Sequence, residues 1–287
     1  MGWTDPRCLF LVPMLALSLS LAAQAGTAPA PAPPAATPKA STPTAPALRP
    51  GEGLAIAGPD LEVHAYGAAA QEQPMGDLAQ IVWLRLEGEE WAARDVQFKC
   101  TGTMGAFHCL LPKGHGRLNL KKAIQESCQL AFLGWILDSA QYWRHEYGEG
   151  AARARLVDVF APFLGRRLKA SENLPEFGLE WVGAGDLLRS SPEALLKWLL
   201  DPAQSELLYR CRRLMLDFLT ETYQTEAWWI KTGTAPVPGE AGATSAWALG
   251  SNDAYTVVLH LPKGTGKTEA LARFQAIMAI PVKAKKK

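Results

Sequence analysis

Lys231-Thr232-Gly233-Thr234-Ala235 is the stretch whose residue types and order point most directly to chemistry. It follows Trp228-Trp229-Ile230, an aromatic and β-branched run that reads as a strand. Strand backbone can pair with an extended peptide, and Gly233 lets a ligand lie against the chain. Lys231 and Thr232 are suited to hold a carboxylate or an activated serine, and with Gly233 and Thr234 they form the predicted ligand-binding set.

Other reactive groups point to less. Apart from Cys8 near the start, the cysteines are Cys100, Cys109, Cys128 and Cys211, an even number that suggests disulfides in an oxidising compartment. Cys100 and Cys109 flank a glycine-containing turn, so a bridge between them is the expectation. Cys100, His108, Cys109 and His115 also cluster, but their spacing fits no common tetrahedral zinc pattern, and no metal is predicted. Lys263-Gly264-Thr265-Gly266-Lys267-Thr268 imitates a phosphate-binding loop, yet Leu261 stands where that motif requires glycine. A glycine turn opening a helix is expected there, with neither ATP nor any other cofactor. His64, His108, His115, His145 and His260 form no His-x3-His pair and no Ser-His-Asp order. Trp228, Trp229 and Trp247 are expected to pack in a core rather than to stack on sugars.

The elements that must position these residues follow from periodicity. Leu54–Tyr66 suggests two strands around Gly58-Pro59-Asp60, and Ile81–Leu86 a buried helix or strand. Leu120–Trp143 carries apolar residues at helical spacing, with Asn119 as its cap. Further helices are predicted over Ala151–Leu168, Pro192–Leu200 (opened by Ser191 and Pro192) and Glu206–Thr222. Strands return at Ala227–Ala235, Ser245–Gly250 and Ala254–Leu261, and a helix over Glu269–Met278 closes the pattern. Strands early, helices in the middle and strands late indicate an α+β fold.

The first 50 residues read differently. Residues 1–25 have the form of a signal peptide: a positive charge at Arg7, an apolar run Cys8–Leu21, and Ala23-Gln24-Ala25 as a cleavage pattern. The run is about 14 residues and broken by Pro13, short of the ~20 a membrane span needs, so export to the periplasm or medium is expected over a retained anchor. Residues 26–50 are an Ala/Pro-rich linker, and 51–287 one domain. The net charge of +1 gives no reason to expect nucleic acid as a partner.

On its Lys-Thr-Gly element the chain resembles the penicillin-recognising acyl-transferases, namely class B penicillin-binding transpeptidases and class D β-lactamases. The resemblance extends upstream. Gly114–Leu120, then Ala123-Ile124 and Ser127-Cys128-Gln129, look like the segment through the second motif, Ser-x-Asn or a variant, whose serine relays protons. Gln129 stands where asparagine is common. Val182–Gly185 and Ser191–Leu195 resemble the stretch before the third motif. The resemblance implies an antiparallel sheet with helices on its faces plus an all-helical part. It also implies a first motif, Ser-x-x-Lys at a helix start, in which lysine one turn on takes the proton from the attacking serine.

Here the matching stretch is Pro74-Met75-Gly76-Asp77-Leu78-Ala79-Gln80, about 50 residues upstream of Ser127. Asp77 occupies the serine position and Gln80 the lysine position. Glutamine cannot take a proton at neutral pH, and an aspartyl nucleophile would give a labile anhydride. The implied protein is a non-catalytic envelope domain that binds a peptidoglycan stem peptide, a β-lactam or a partner protein. The alternative is an active serine acyl-transferase or β-lactamase with its nucleophile elsewhere.

Overall fold

Apolar segments from opposite ends of the chain meet in one sheet. In a computed structural model, residues 46–164, 173–204, 206–211 and 228–279 are described. The predicted signal peptide, most of the predicted linker, the Lys-rich end and most of the predicted Glu206–Thr222 helix lie outside these residues; 206–211 are helical as expected.

In chain order the strands and helices are β1 (Gly53–Ala57), β2 (Val63–Gly67), β3 (Gln73–Pro74), α1 (Ala79–Ala93), β4 (Gln97–Cys100), β5 (Thr103–Met104), β6 (Phe107–His108), β7 (Gly116–Asn119), α2 (Leu120–Gln125), α3 (Gln129–Phe160), β8 (Arg189–Ser190), α4 (Pro192–Leu200), β9 (Trp229–Pro236), β10 (Thr244–Ser251) and β11 (Thr256–Leu261). A short helix, Leu271–Ile277, closes the described chain. The main sheet runs β2-β1-β11-β10-β9 and every pairing in it is antiparallel. β1 and β11 are buried along their whole length, as strands covered on both faces must be. The fold is α+β, as the sequence pattern implies, and is built on an antiparallel sheet with helices packed on it, as the resemblance implies.

Three tryptophans show how the helical part is tied to the sheet and to itself. The Trp247 indole, fully buried on β10, donates to the Pro74 carbonyl at 2.7 Å, which fixes the turn before α1. Trp83 on α1 donates to the Trp181 carbonyl at 2.7 Å, and Trp91 to Ser139 Oγ on α3 at 3.1 Å. Each ring is buried and has its one donor satisfied, so the aromatic surface contributes burial without an unpaired N–H. Trp228 and Trp229 are buried as well, which makes all three sequence-flagged tryptophans packing residues.

Helix ends follow local chemistry. Asn119 Oδ1 accepts from the Lys122 N–H at 2.9 Å and Ser191 Oγ from the Ala194 N–H at 3.1 Å, the expected N-caps of α2 and α4. The single helix predicted over Leu120–Trp143 is in fact two. α2 stops at Gln125 in a Schellman arrangement: Cys128 N–H bonds the Ala123 carbonyl at 3.0 Å and Ser127 N–H the Ile124 carbonyl at 3.2 Å. That motif puts Ser127 in the left-handed region at φ +51°, where glycine is usual. Periodicity hides the break because the apolar face continues in α3. The predicted Ala151–Leu168 helix is the second half of α3, set off by Gly148 at φ +75°, and its described helical residues end at Phe160.

Candidate functional site

Three segments distant in sequence converge on the β9 edge of the sheet. The first is the turn Met75-Gly76-Asp77-Leu78 that opens α1. Gly76 has φ +55°, and a Cβ there would stand 2.4 Å from the Thr234 carbonyl oxygen. Gly233 reciprocates: its Cβ would lie 3.0 Å from the Leu78 nitrogen and 3.2 Å from that of Asp77. Two glycines therefore let two backbones touch, and the α1 turn lies directly on the Lys-Thr-Gly strand. Gly183, at φ +101°, backs the same turn from the other side, since its Cβ would meet the Gly76 carbonyl at 2.0 Å.

The second segment is the α2–α3 junction. Lys231 Nζ donates to Ser127 Oγ at 2.7 Å and to the Thr232 carbonyl at 2.9 Å. Gln129 Nε2 donates to Asp77 Oδ1 at 2.9 Å, and the Thr234 N–H reaches the same carboxylate. The third is the turn after β11, where Gly266 N–H donates to Thr234 Oγ at 2.9 Å. Lys267 stands at its rim, 3.6 Å from Glu126.

Together these residues line a cleft of about 370 Å³, whose walls include Asp77, Ser127, Gln129, Thr232, Gly233, Thr234 and Lys267, with Leu110 and Leu111 on the outer lip. The structure thus brings together Asp77, Ser127, Gln129 and the Lys231–Thr234 strand. Gln80 is not in this wall. It is fully buried beneath the turn, and neither atom of its amide has a hydrogen-bond partner among the described residues.

Burial sets the electrostatics. Removal from water pushes the Asp77 carboxyl above the usual aspartate value, an effect opposed by Lys231 and by the bonds from Gln129 and Thr234. Burial likewise pulls Lys231 down to about 8, with Asp77 favouring its charged form and Lys267 disfavouring it. The cleft can hold an extended or anionic ligand against the Thr232–Thr234 backbone with Lys267 as an exposed cation. At position 77 it offers a carboxylate, already held by two donors, in place of a hydroxyl.

Sequence reasoning did not find Lys267, Glu126 or Thr265 as cleft residues. Lys267 was legible only as part of a false phosphate loop, and its turn is instead a wide helical turn over Gly266–Ala270 packed on Gly233. The expected Cys100–Cys109 bridge is corrected. All four described cysteines are free thiols, and Cys109 lines the cleft with His115.

No protein-family model and no curated protein sequence matches the chain. Solved structures do. The penicillin-binding protein PBP2 from Helicobacter pylori matches at a TM-score of 0.58 with 13% identity, covering 79% of this chain and 59% of that one. The class D β-lactamase BAT-2 matches at 0.52 with 13% identity, covering 81% and 93%. The complex between PBP2 and MreC from Helicobacter pylori matches at 0.53 with 14% identity, covering 75% and 57%. The chain spans less than two thirds of the length of the penicillin-binding proteins in the first and third of these. On these likenesses the chain has the fold of the penicillin-binding proteins and class D β-lactamases.

Proposed function

We propose that this is a non-catalytic ligand-binding domain of the cell envelope, derived from a serine acyl-transferase scaffold. Its ligand is a peptidoglycan stem peptide, a β-lactam or a protein segment that lies along the β9 edge. The observation that carries this reading is Asp77 at the mouth of the α1 turn. Where the resemblance calls for an attacking hydroxyl there is a buried carboxylate, already bonded to Gln129 and Thr234. One turn later, where a base is called for, Gln80 faces the interior. The strand that would hold an extended ligand is intact, and Lys267 supplies an accessible positive charge beside it. A signal peptide over residues 1–25 and a linker to residue 50 would deliver the domain to the envelope. A protein partner is in keeping with the PBP2–MreC complex among the similar structures.

Titrating the protein with a stem peptide, followed by NMR or calorimetry, tests this. Saturable binding that weakens several-fold in Lys267→Ala supports it, and peptide that is cleaved or becomes covalently attached contradicts it.

One observation favours a second reading. Ser127 Oγ is 2.7 Å from a buried amine lowered to about 8, a hydroxyl–amine pair of the kind that performs acyl transfer. In that case Ser127 would attack and Lys231 would take its proton. Against it, the amine already donates to Ser127 and to the Thr232 carbonyl, so it acts as a donor to the serine rather than an acceptor. The resemblance gives such a serine a relaying role.

A further inference from the structure

Three thiols and an imidazole meet beside the cleft. Cys100 Sγ, Cys109 Sγ, Cys128 Sγ and a ring nitrogen of His115 all lie within 4.8 Å of one another. We propose that Cys100, Cys109, His115 and Cys128 form a tetrahedral site for a single zinc ion, which clamps the β4–β7 ribbon to the start of α3.

The dimensions suit the ion. Zinc with Zn–S near 2.3 Å and Zn–N near 2.0–2.1 Å spans tetrahedral edges of roughly 3.5–3.8 Å. The one edge resolved as a contact, Cys109 Sγ to His115 Nδ1, is 3.3 Å and would open by a few tenths of an ångström, while any separation near the 4.8 Å limit would contract by about 1 Å, within reach of side-chain rotation. Three soft sulfurs and one imidazole are a structural zinc set, with no position left for water and no hard oxygen to favour magnesium or calcium.

Backbone donors surround the cluster. N–H groups of Gly102 and His115 point at Cys100 Sγ, that of Leu111 at Cys109 Sγ, and that of Ala131 at Cys128 Sγ. Each sulfur therefore has a donor two or three residues further along the chain. Burial raises the cost of charge at each of these sulfurs, and the backbone donors offset part of that cost. Cys128 also stands at the N-terminus of α3, where the helix dipole favours negative charge.

Two glycines make the loop possible. Gly102 has φ +95° and a Cβ there would be 2.0 Å from the Pro112 carbonyl oxygen. Gly114, at φ +73°, would place a Cβ 2.2 Å from the Cys100 carbonyl oxygen. They fold β5, β6 and the loop after them back on themselves, so that Cys100, Cys109 and His115, well separated in sequence, share one point.

A disulfide explains the cluster less well. A Cys100–Cys109 bridge would leave Cys128 odd and the converging N–H groups without a charge to serve. The sequence pattern that argued against zinc used His108, but that residue is exposed on β6 and outside the cluster. Cys128 takes its place, brought in by the α2–α3 break. The same break carries Ser127, the residue before Cys128, so the ion would also hold Ser127 against Lys231. Metal binding does not depend on what the cleft binds, and its test is separate.

The test uses the whole chain, expressed with zinc and purified under reducing conditions. Elemental analysis should find one zinc per chain, and X-ray absorption should show three sulfurs and one nitrogen around it. Replacing zinc by cobalt(II) should give thiolate charge-transfer and intense tetrahedral ligand-field absorption. His115→Ala, at a half-buried position that should still fold, should lower zinc affinity at least tenfold. Cys109→Ser should abolish the signature of three sulfurs and one nitrogen. The proposal is overturned if the folded protein purifies without zinc and takes up none, or if zinc content and cobalt spectrum are unchanged in both variants. A Cys100–Cys109 disulfide found by mass spectrometry in zinc-replete protein also overturns it.

Discussion

Asp77 and Lys231 decide the chemistry of the cleft as a pair, each displaced by burial and each drawn back by the other. Replacing Asp77 with asparagine keeps the shape and removes the anion that favours protonated Lys231. The lysine should then titrate below its value of about 8, which the carbon-13 shift of Lys231 Cε measured against pH would show; an unchanged or higher value would mean the two groups do not interact. Gln80 makes the opposite kind of prediction. A fully buried amide with no partner among the described residues is a cost, so Gln80→Met should stabilise the fold by about 1 kcal/mol in chemical denaturation. Loss of stability instead would show that the amide is bonded in solution. Both residues were legible in sequence as departures from a motif. What could not be read was their separation, Asp77 in the cleft wall and Gln80 beneath it, because that depends on how α1 rolls against the sheet.

Among the elements, strand pairs with a turn between them, such as β1–β2 and β10–β11, were legible because their apolar runs and glycine turns are local. The caps Asn119 and Ser191 were legible for the same reason. The α2–α3 break was not, since a serine occupies the left-handed position that glycine would have announced. The short β4–β7 and β5–β6 ribbons were also missed, being made by tertiary contact rather than by strong strand propensity. Backbone contact at the α1 turn can be tested directly. Gly76→Ala sets a Cβ 2.4 Å from a carbonyl oxygen at φ +55°, and should cost roughly 2–4 kcal/mol in urea denaturation. A loss under about 1 kcal/mol would show that the turn does not press on β9 as described.

Across the whole molecule, the sheet that carries the cleft also carries a pH sensitivity. His260 on β11 is 3% exposed, packs 4.7 Å from the Trp247 ring, and has its Nε2 unpartnered among the described residues. Desolvation lowers it to about 4 from an ordinary 6.5. Between those values the unfolded chain binds a proton that the folded chain does not, so stability falls as pH falls from 6.5 to 4. The loss approaches about 3 kcal/mol when complete. The stability of the protein minus that of its His260→Phe variant should be constant above pH 6.5 and fall as pH drops below it; a difference independent of pH would place the histidine in water. The fold class was legible from the order of strands and helices, whereas the register that sets Lys231 opposite Leu249 was not.

A cleft that keeps its ligand edge but has no working nucleophile should never become acylated. Intact-mass measurement after incubation with a fluorescent penicillin decides whether that holds. An unmodified mass is the expected result. A covalent adduct that disappears in Ser127→Ala would refute the non-catalytic reading and make Ser127 and Lys231 the catalytic pair.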